Sequence, residues 1–351
     1  MSKYVEVARR IEADIRAGRW EPGRIPGVRS LAGQHGVSVV TAARALQLLR
    51  DQGLITTVER SGCYLAAGGG ERWALSLHVT PGPWQGLTAA LLRSGFDALG
   101  RRHGLIVDDW PSLDGDPARR AREAGVRGVF LLPSRRDEAV CRQEEGFLRA
   151  CRNAGLAVVL LERNLRGCDR PLEWDLVATD DVGGGSACTR HLLQQGRRRV
   201  AFVTGSPTSS HQGRAAGYLL TLYQQAPEQA PLLIQENADG GDAYGDLAEA
   251  LAVQRADGVV CYQDYVALGL IPELTARGLR VPDDVGVVGF DDLPVDAPLG
   301  VTTYAFPAEA VARQALRLMR WRLEHPDEAP VRVEVPGRLI VRASSSAARA
   351  S

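Results

Sequence analysis

Residues 277–292 read Arg-Gly-Leu-Arg-Val-Pro-Asp-Asp-Val-Gly-Val-Val-Gly-Phe-Asp-Asp. A turn signal at Pro282-Asp283-Asp284 precedes the short apolar run 285–289, and Asp291 and Asp292 follow it. A brief apolar run bounded by turn residues is the pattern of a strand buried on both faces, as in a parallel sheet. Similar runs occupy 75–79, 105–107, 128–132, 157–161, 199–203 and 258–261, and helical stretches such as 86–102 and 183–195 lie between them. Strand–helix alternation implies an α/β architecture of parallel sheets covered by helices. About 270 residues of this pattern exceed one comfortable core, so two lobes are expected. Parallel sheets bind ligands beyond the carboxyl ends of their strands, and two lobes form a cleft there. Asp291 falls at such an end.

Upstream the pattern changes. Val5, Ala8, Ile11 and Ile15 give one apolar helical face, closed by Gly18 and a turn at Glu21-Pro22-Gly23. Pro26 opens a second short helix through Val28, Leu31 and Ala32 that ends at Gly36. Ser38 is suited to cap a third helix that buries Ala42, Ala45, Leu46 and Leu49 and stops at Gly53. Residues 54–58 and 63–66 then flank a Ser61-Gly62 turn as a hairpin. These features predict a winged helix-turn-helix. The small-residue stretch Ala66-Ala67-Gly68-Gly69-Gly70 reads as a linker.

The chain has 351 residues, 45% of them hydrophobic and 24% charged, which excludes a disordered or collagen-like polymer. Its 42 basic and 42 acidic side chains cancel, yet residues 1–66 hold ten basic and six acidic groups. That end is therefore +4 and the remainder −4, an asymmetry that points to a nucleic-acid-binding end. No stretch approaches the length of an apolar membrane span, and residues 1–18 lack a signal-peptide core. Six cysteines without a CxxC pair suit reduced thiols in a cytoplasm rather than a disulfide frame or a zinc site.

Two resemblances cover nearly the whole chain. Residues 4–65 resemble GntR-type winged-helix regulators through Gly18, Pro22-Gly23, the run Ile25-Pro26-Gly27-Val28-Arg29-Ser30-Leu31-Ala32, Gly36-Val37-Ser38, Thr41, Arg44-Ala45-Leu46 and Gly53-Leu54-Ile55. Residues 75–345 resemble LacI/GalR-type effector domains, which share the periplasmic sugar-binding-protein fold. The motifs are Val177-Ala178-Thr179-Asp180-Asp181 with Gly184-Gly185, His191-Leu192-Leu193, 196–202, Arg214-Ala215-Ala216-Gly217-Tyr218, Asp264 with Ala267-Leu268-Gly269, 277–292 and 339–344. The arrangement is similar to that of the arabinose-type repressors. It implies a DNA-binding domain at 1–66, a linker at 67–73 and an effector and dimerisation domain at 74–345. Lobe 1 would take 74–178 and 308–336; lobe 2 would take 179–307 and 337–345.

By resemblance, Arg29, Ser38, Thr41, Arg44 and the wing near Arg60 and Gly62 approach DNA. Val39 and Ala43 stand where the family often has basic residues. Val39 and Val40 either read thymine methyls or pack on a neighbouring helix. For the effector, Asp291 and Arg214 occupy family binding positions, and Glu162 ends the 158–161 strand. Carboxylates and guanidinium groups suit paired sugar hydroxyls. The other readings are a turn or helix cap for Asp291, and a surface salt bridge with Arg163 or Arg166 for Glu162. Gln263 replaces a usual asparagine, Phe306 stands near a usual glutamine, and Trp84 is a candidate for stacking or for the core. Tyr262 and Trp110 have weaker claims.

The expected function is a ligand-responsive transcription regulator, a repressor, homodimeric on a near-palindromic operator. It would sense a sugar and need no cofactor or metal. An α/β enzyme is the alternative, with Gly183-Gly184-Gly185-Ser186 as a phosphate loop, although the P-loop lysine is missing. A transport-type binding protein is a second alternative.

Overall fold

The structure, a computed structural model, describes residues 3–16, 25–51, 54–58, 62–65, 72–77, 86–103, 106–110, 113, 115–134, 138–165, 167, 170–205, 208–236, 242–294 and 296–346. Helices Lys3–Arg16, Val28–Gln34 and Val39–Asp51 precede an antiparallel hairpin of Ile55–Val58 and Gly62–Leu65. The third helix buries Ala42, Ala45, Leu46 and Leu49, the face its periodicity requires. In the first helix Val7 packs inward with Ala8 and Ile11, while Val5 is half-buried. Gly36 takes φ 60°, the left-handed conformation that makes the tight turn between the second and third helices possible. Gly18, residues 21–23, Gly53 and the 59–61 turn lie outside the described residues.

Two six-stranded sheets follow. The first runs, in spatial order, Arg332–Val335, Asp175–Thr179, Ala157–Leu161, Val126–Leu132, Arg72–Leu77 and Ile106–Asp109, every neighbouring pair parallel. The second runs Arg338–Ile340, Thr302–Ala305, Gly286–Asp291, Gly258–Cys261, Val200–Thr204 and Leu232–Gln235, parallel except where Arg338–Ile340 meets Thr302–Ala305. In each lobe the first strand in sequence lies between the second and third, a doubly wound order with a switch point beside it. Residues 157–161 and 286–291 are buried throughout, as expected of central parallel strands.

Strands that the apolar runs do not announce lie mostly towards the edges. Arg332–Val335 and Leu232–Gln235 alternate half-buried and exposed positions, and Thr302–Ala305 is rich in threonine. The chain crosses between lobes three times: after Thr179, between Ala305 and Ala308, and between Val335 and Arg338. Both sheets point their carboxyl ends at these crossings. Helix Ala308–Glu324 returns to the first lobe and packs on Leu87–His103 through Val311, Ala312 and Ala315.

Two expectations change. The first strand begins at Arg72, inside the 67–73 stretch read as linker, and Trp73 is fully buried against Phe130. The glycine run at 183–185 is no phosphate loop. It lies within helix Asp181–Gln194, where a Cβ on Gly185 would sit 2.1 Å from the Arg214 carbonyl oxygen. A Cβ on Gly217 would likewise meet the Val182 carbonyl oxygen at 2.1 Å. These glycines let helix Ser209–Gln225 lie directly on Asp181–Gln194.

Candidate effector site between the lobes

That close helix contact fixes the backbone of Arg214, whose side chain reaches the carboxyl ends of the second sheet. Its Nε donates to Asp181 Oδ1 at 2.8 Å and Nη1 to the Tyr262 carbonyl at 2.6 Å. Nη2 stands 3.7 Å from Asp291 Oδ1, and the guanidinium carbon lies 3.6 Å from the Phe290 ring centroid. Gln263 Nε2 donates to the other Asp291 oxygen at 2.9 Å. From the first lobe, Glu162 accepts from Thr179 N at 3.2 Å and Thr179 Oγ1 at 3.0 Å. Asn164 N donates to Ser209 Oγ at 2.8 Å, a direct link between the lobes.

Backbone strain concentrates here. Of the four non-glycine residues with positive φ among those described, Glu162 (64°), Asp291 (120°) and Asp292 (58°) end strands that face the cleft. Such conformations cost about 1–3 kcal/mol each and persist where packing and hydrogen bonds over-determine them. Arg342 Nη2 donates to Asp292 Oδ1 at 2.7 Å, and Asp292 N donates to Thr303 Oγ1 at 3.1 Å.

Burial controls the charges. It pushes the Glu162 carboxyl up to about 8, aided by the nearby Asp181 charge, so Glu162 is largely protonated at neutral pH. A protonated carboxyl donates as well as accepts. Asp181 is pushed up to about 6 by burial, which Arg214 only partly offsets. Deeper in the second lobe, Asp264 and Asp296 are both buried, and burial raises both carboxyl groups. Thr303 Oγ1 donates to Asp264 at 2.9 Å, which ties this pair to the sheet.

The structure therefore gathers Arg214, Gln263 and Asp291 on one side of the lobe interface and Glu162 on the other, all at most 4% exposed. A surface salt bridge is not the state of Glu162. Phe306 donates its N–H to the Asp291 carbonyl at 3.2 Å, while its ring joins the hydrophobic cluster of the first lobe. Trp110 is a core residue packed edge-on against Phe147. Trp84 and Arg60 lie outside the described residues. Asp181 is the contact that sequence reasoning missed. Its place just past the 175–179 strand, at the start of a helix, was the available signal. Tyr262 gains weight, since its carbonyl holds Arg214 and its hydroxyl bonds Glu236 and Tyr265. His191, by contrast, is structural: Nε2 pairs with Ser345 Oγ at 2.8 Å, joining its helix to the segment after the closing strand.

At the other end of the chain, Ser38 Oγ accepts from Thr41 N at 3.1 Å and pairs with Thr41 Oγ1 at 2.9 Å, capping the third helix. Arg29 and Arg44 are exposed, and Gly62 pairs with Val58 at the start of the second wing strand. Val39 and Val40 are 47% and 65% exposed, so among the described residues neither is enclosed by a neighbouring helix.

A winged helix-turn-helix is thus followed by two doubly wound α/β lobes joined by three crossings. Comparison with known proteins gives the same two parts. Residues 3–65 match the family of bacterial regulatory proteins of gntR type, and residues 189–345 match the periplasmic binding protein-like domain. The HTH-type transcriptional regulator CelR of Thermobifida fusca is 30% identical over 233 residues, covering 62% of this chain and 63% of its own. The transcriptional repressor PurR of Mannheimia succiniciproducens is 28% identical over 176 residues, 48% of this chain and 52% of that one. The chain spans about half the length of the curated relatives it matches. Among solved structures, the CelR–cellobiose complex superposes with TM-score 0.59 at 23% identity, covering 91% of this chain and 100% of that one. A LacI family regulator from Enterococcus faecium with bound ribose gives 0.60 at 20% identity, covering 79% and 100%. The chain thus joins a GntR-type helix-turn-helix domain to a periplasmic-binding-protein-like domain, and its relatives are LacI/GalR-type regulators rather than enzymes.

Proposed function

We propose that this chain is a ligand-responsive transcription regulator, a repressor, that senses a sugar in the cleft between its lobes. The observation that carries the reading is the buried set Arg214, Asp181, Asp291 and Gln263 facing Glu162 across the crossings. It offers a fixed cation, carboxylate acceptors, an amide and a protonated carboxyl, a complement for vicinal hydroxyls. Two similar structures, the CelR–cellobiose complex and a ribose-bound LacI family regulator, support the ligand class. Arg29, Ser38, Thr41, Arg44, Arg60 and Gly62 would approach operator DNA.

The unit would act as a homodimer on a near-palindromic operator in the cytoplasm. Among the described residues, no helix is long and apolar enough to cross a membrane. Residues 1–66 would form the DNA-binding domain and 74–345 the sensor. Ligand would close the lobes about the three crossings and change how paired winged helices sit, provided it binds the two conformations with different affinity.

A thermal-shift screen of sugars is expected to raise the melting temperature with at least one of them, and Asp291→Ala is expected to abolish that rise while DNA binding persists. No stabilisation by any sugar would count against the ligand class. Failure of the full chain to retard DNA from its own upstream region at low salt would overturn the regulator reading.

A further inference from the structure

The third helix presents an unusual face for a DNA reader. Residues 25–50, which include the second helix and all but the last residue, Asp51, of the third, contain no aspartate or glutamate and hold Arg29, Arg44 and Arg50, all exposed. The charge around the helix therefore suits a polyanion. The tip itself is apolar: Val39 is 47% exposed, Val40 is 65% exposed, and Ala43 is exposed one turn further on. Both polar groups of the first turn are engaged with each other, Ser38 Oγ with Thr41 Oγ1 at 2.9 Å. Gln47, on the same face, donates to Asp51 Oδ1 at 2.8 Å. What remains for a base edge at the leading turn is a row of methyl groups.

We infer that Val39 and Val40 read thymine 5-methyl groups in the major groove, so that the operator half-site is specified by apolar contact at the leading turn of the third helix. The inference rests on the regulator reading above and names what that helix recognises. Thymine alone among the four bases carries a methyl on the major-groove edge, and alkyl side chains distinguish it without a hydrogen bond. Arg29 and Arg44 would supply phosphate contacts that set the register but carry no sequence information. The recognition is thereby divided between exposed cations that hold the backbone and buried methyl contacts that choose the base. Solvent exposure of two adjacent valines is the cost of that arrangement in the unbound chain, and DNA removes it.

The test uses the full chain and a duplex selected by it from a random pool. Thymines of the selected site are replaced one at a time by deoxyuracil, which removes only the methyl. One or two positions in each half-site are expected to lose roughly fourfold in affinity per methyl, the value of one buried methylene. In the Val39→Ser, Val40→Ser double variant, thymine and uracil at those positions are expected to bind alike. Conversely, 5-methylcytosine placed at a cytosine beside the valines is expected to restore part of the contact for the unaltered chain. Both substitutions are at exposed positions, and a melting curve of the variant checks that it folds. Affinity indifferent to uracil at every position, or discrimination unchanged in the double variant, overturns the inference. So does a double variant whose only change is a smaller oligomer, since the valines would then face a second copy. A chain that selects no duplex at all instead overturns the regulator reading on which the inference stands.

Discussion

The two lobes share one strand order but use their buried charge in opposite places. In the second lobe, Arg214 sits at the carboxyl ends of the strands and holds Asp181 and Asp291 at the cleft. In the first lobe, Arg322 grips Asp175 at 2.7 and 2.8 Å at the amino end of a strand, far from the crossings. Arg322 also donates to the carbonyls of His325 and Ala329, at 2.9 and 3.0 Å. A cavity of about 340 Å³ beside this pair is lined by Trp174, Arg152 and Pro326. Arg152 lies 3.7 Å over the Trp174 ring. Each arginine pairs with a buried carboxylate, though Arg322 itself is only partly buried; only Arg214 faces the lobe interface proposed to take a ligand. The comparison teaches that the proposed sensor arginine is singled out by the strand end it occupies rather than by burial alone.

Five substitutions probe that contrast. Arg214→Ala should have the largest effect: it strands two buried carboxylates, costs about 3–5 kcal/mol in denaturant unfolding, and removes sugar-dependent stabilisation. Arg322→Ala should cost a comparable amount yet leave the sugar response intact in the same thermal-shift measurement. Equal loss of the response in both variants would break the distinction between the two strand ends.

The second probe is pH. Glu162 has its folded pKa raised to about 8 from the usual 4.5, and Glu144, where burial dominates, to about 7. An acid raised in this way binds more protons folded than unfolded. Its stabilising share is present in full below about pH 4.5 and is lost as pH rises through the folded value. Melting temperatures of the ligand-free chain should therefore fall between about pH 5 and pH 8. Glu162→Gln should flatten that fall, a change on the order of 2 kcal/mol across the window.

Gly185→Ala comes next. The new Cβ would press on the Arg214 carbonyl oxygen, so the two helices must part, at about 1–3 kcal/mol. Because Arg214 moves with its helix, the sugar response should weaken as well, which a titration at fixed temperature would detect. The smallest change is expected of Val40→Ser: melting should shift by no more than about 0.5 kcal/mol, since the residue touches little in the free chain. A large loss of stability there would mean that the valine packs on something in solution.

Much of this was legible in the sequence where a single physical rule dominates. Central strands such as 157–161 are apolar on every residue because helices cover both faces, and the third helix shows its buried positions at helical spacing. Edge strands such as Arg332–Val335 hide because one side meets solvent and charges alternate along it. Within the site, Arg214 and Asp291 were named from resemblance and stand together. Asp181 was not, because its partner is 33 residues away in sequence and only the glycine-to-backbone contact of two helices brings it near. Phe306 shows the reverse problem: an aromatic at a strand end can be claimed by the core as readily as by a ligand.

The final crossing has a consequence for synthesis. Strand Arg332–Val335 runs parallel to Asp175–Thr179, whereas Arg338–Ile340 runs antiparallel to Thr302–Ala305. That reversal follows from one straight segment traversing a gap onto which both sheets point. It also means that neither lobe has its full set of strands until about residue 340 has left the ribosome, although the winged helix is contiguous and can fold early. Each unfinished sheet keeps an unpaired edge meanwhile, an invitation to wrong pairing. A nascent chain arrested near residue 330 would then carry a complete winged helix attached to two incomplete halves.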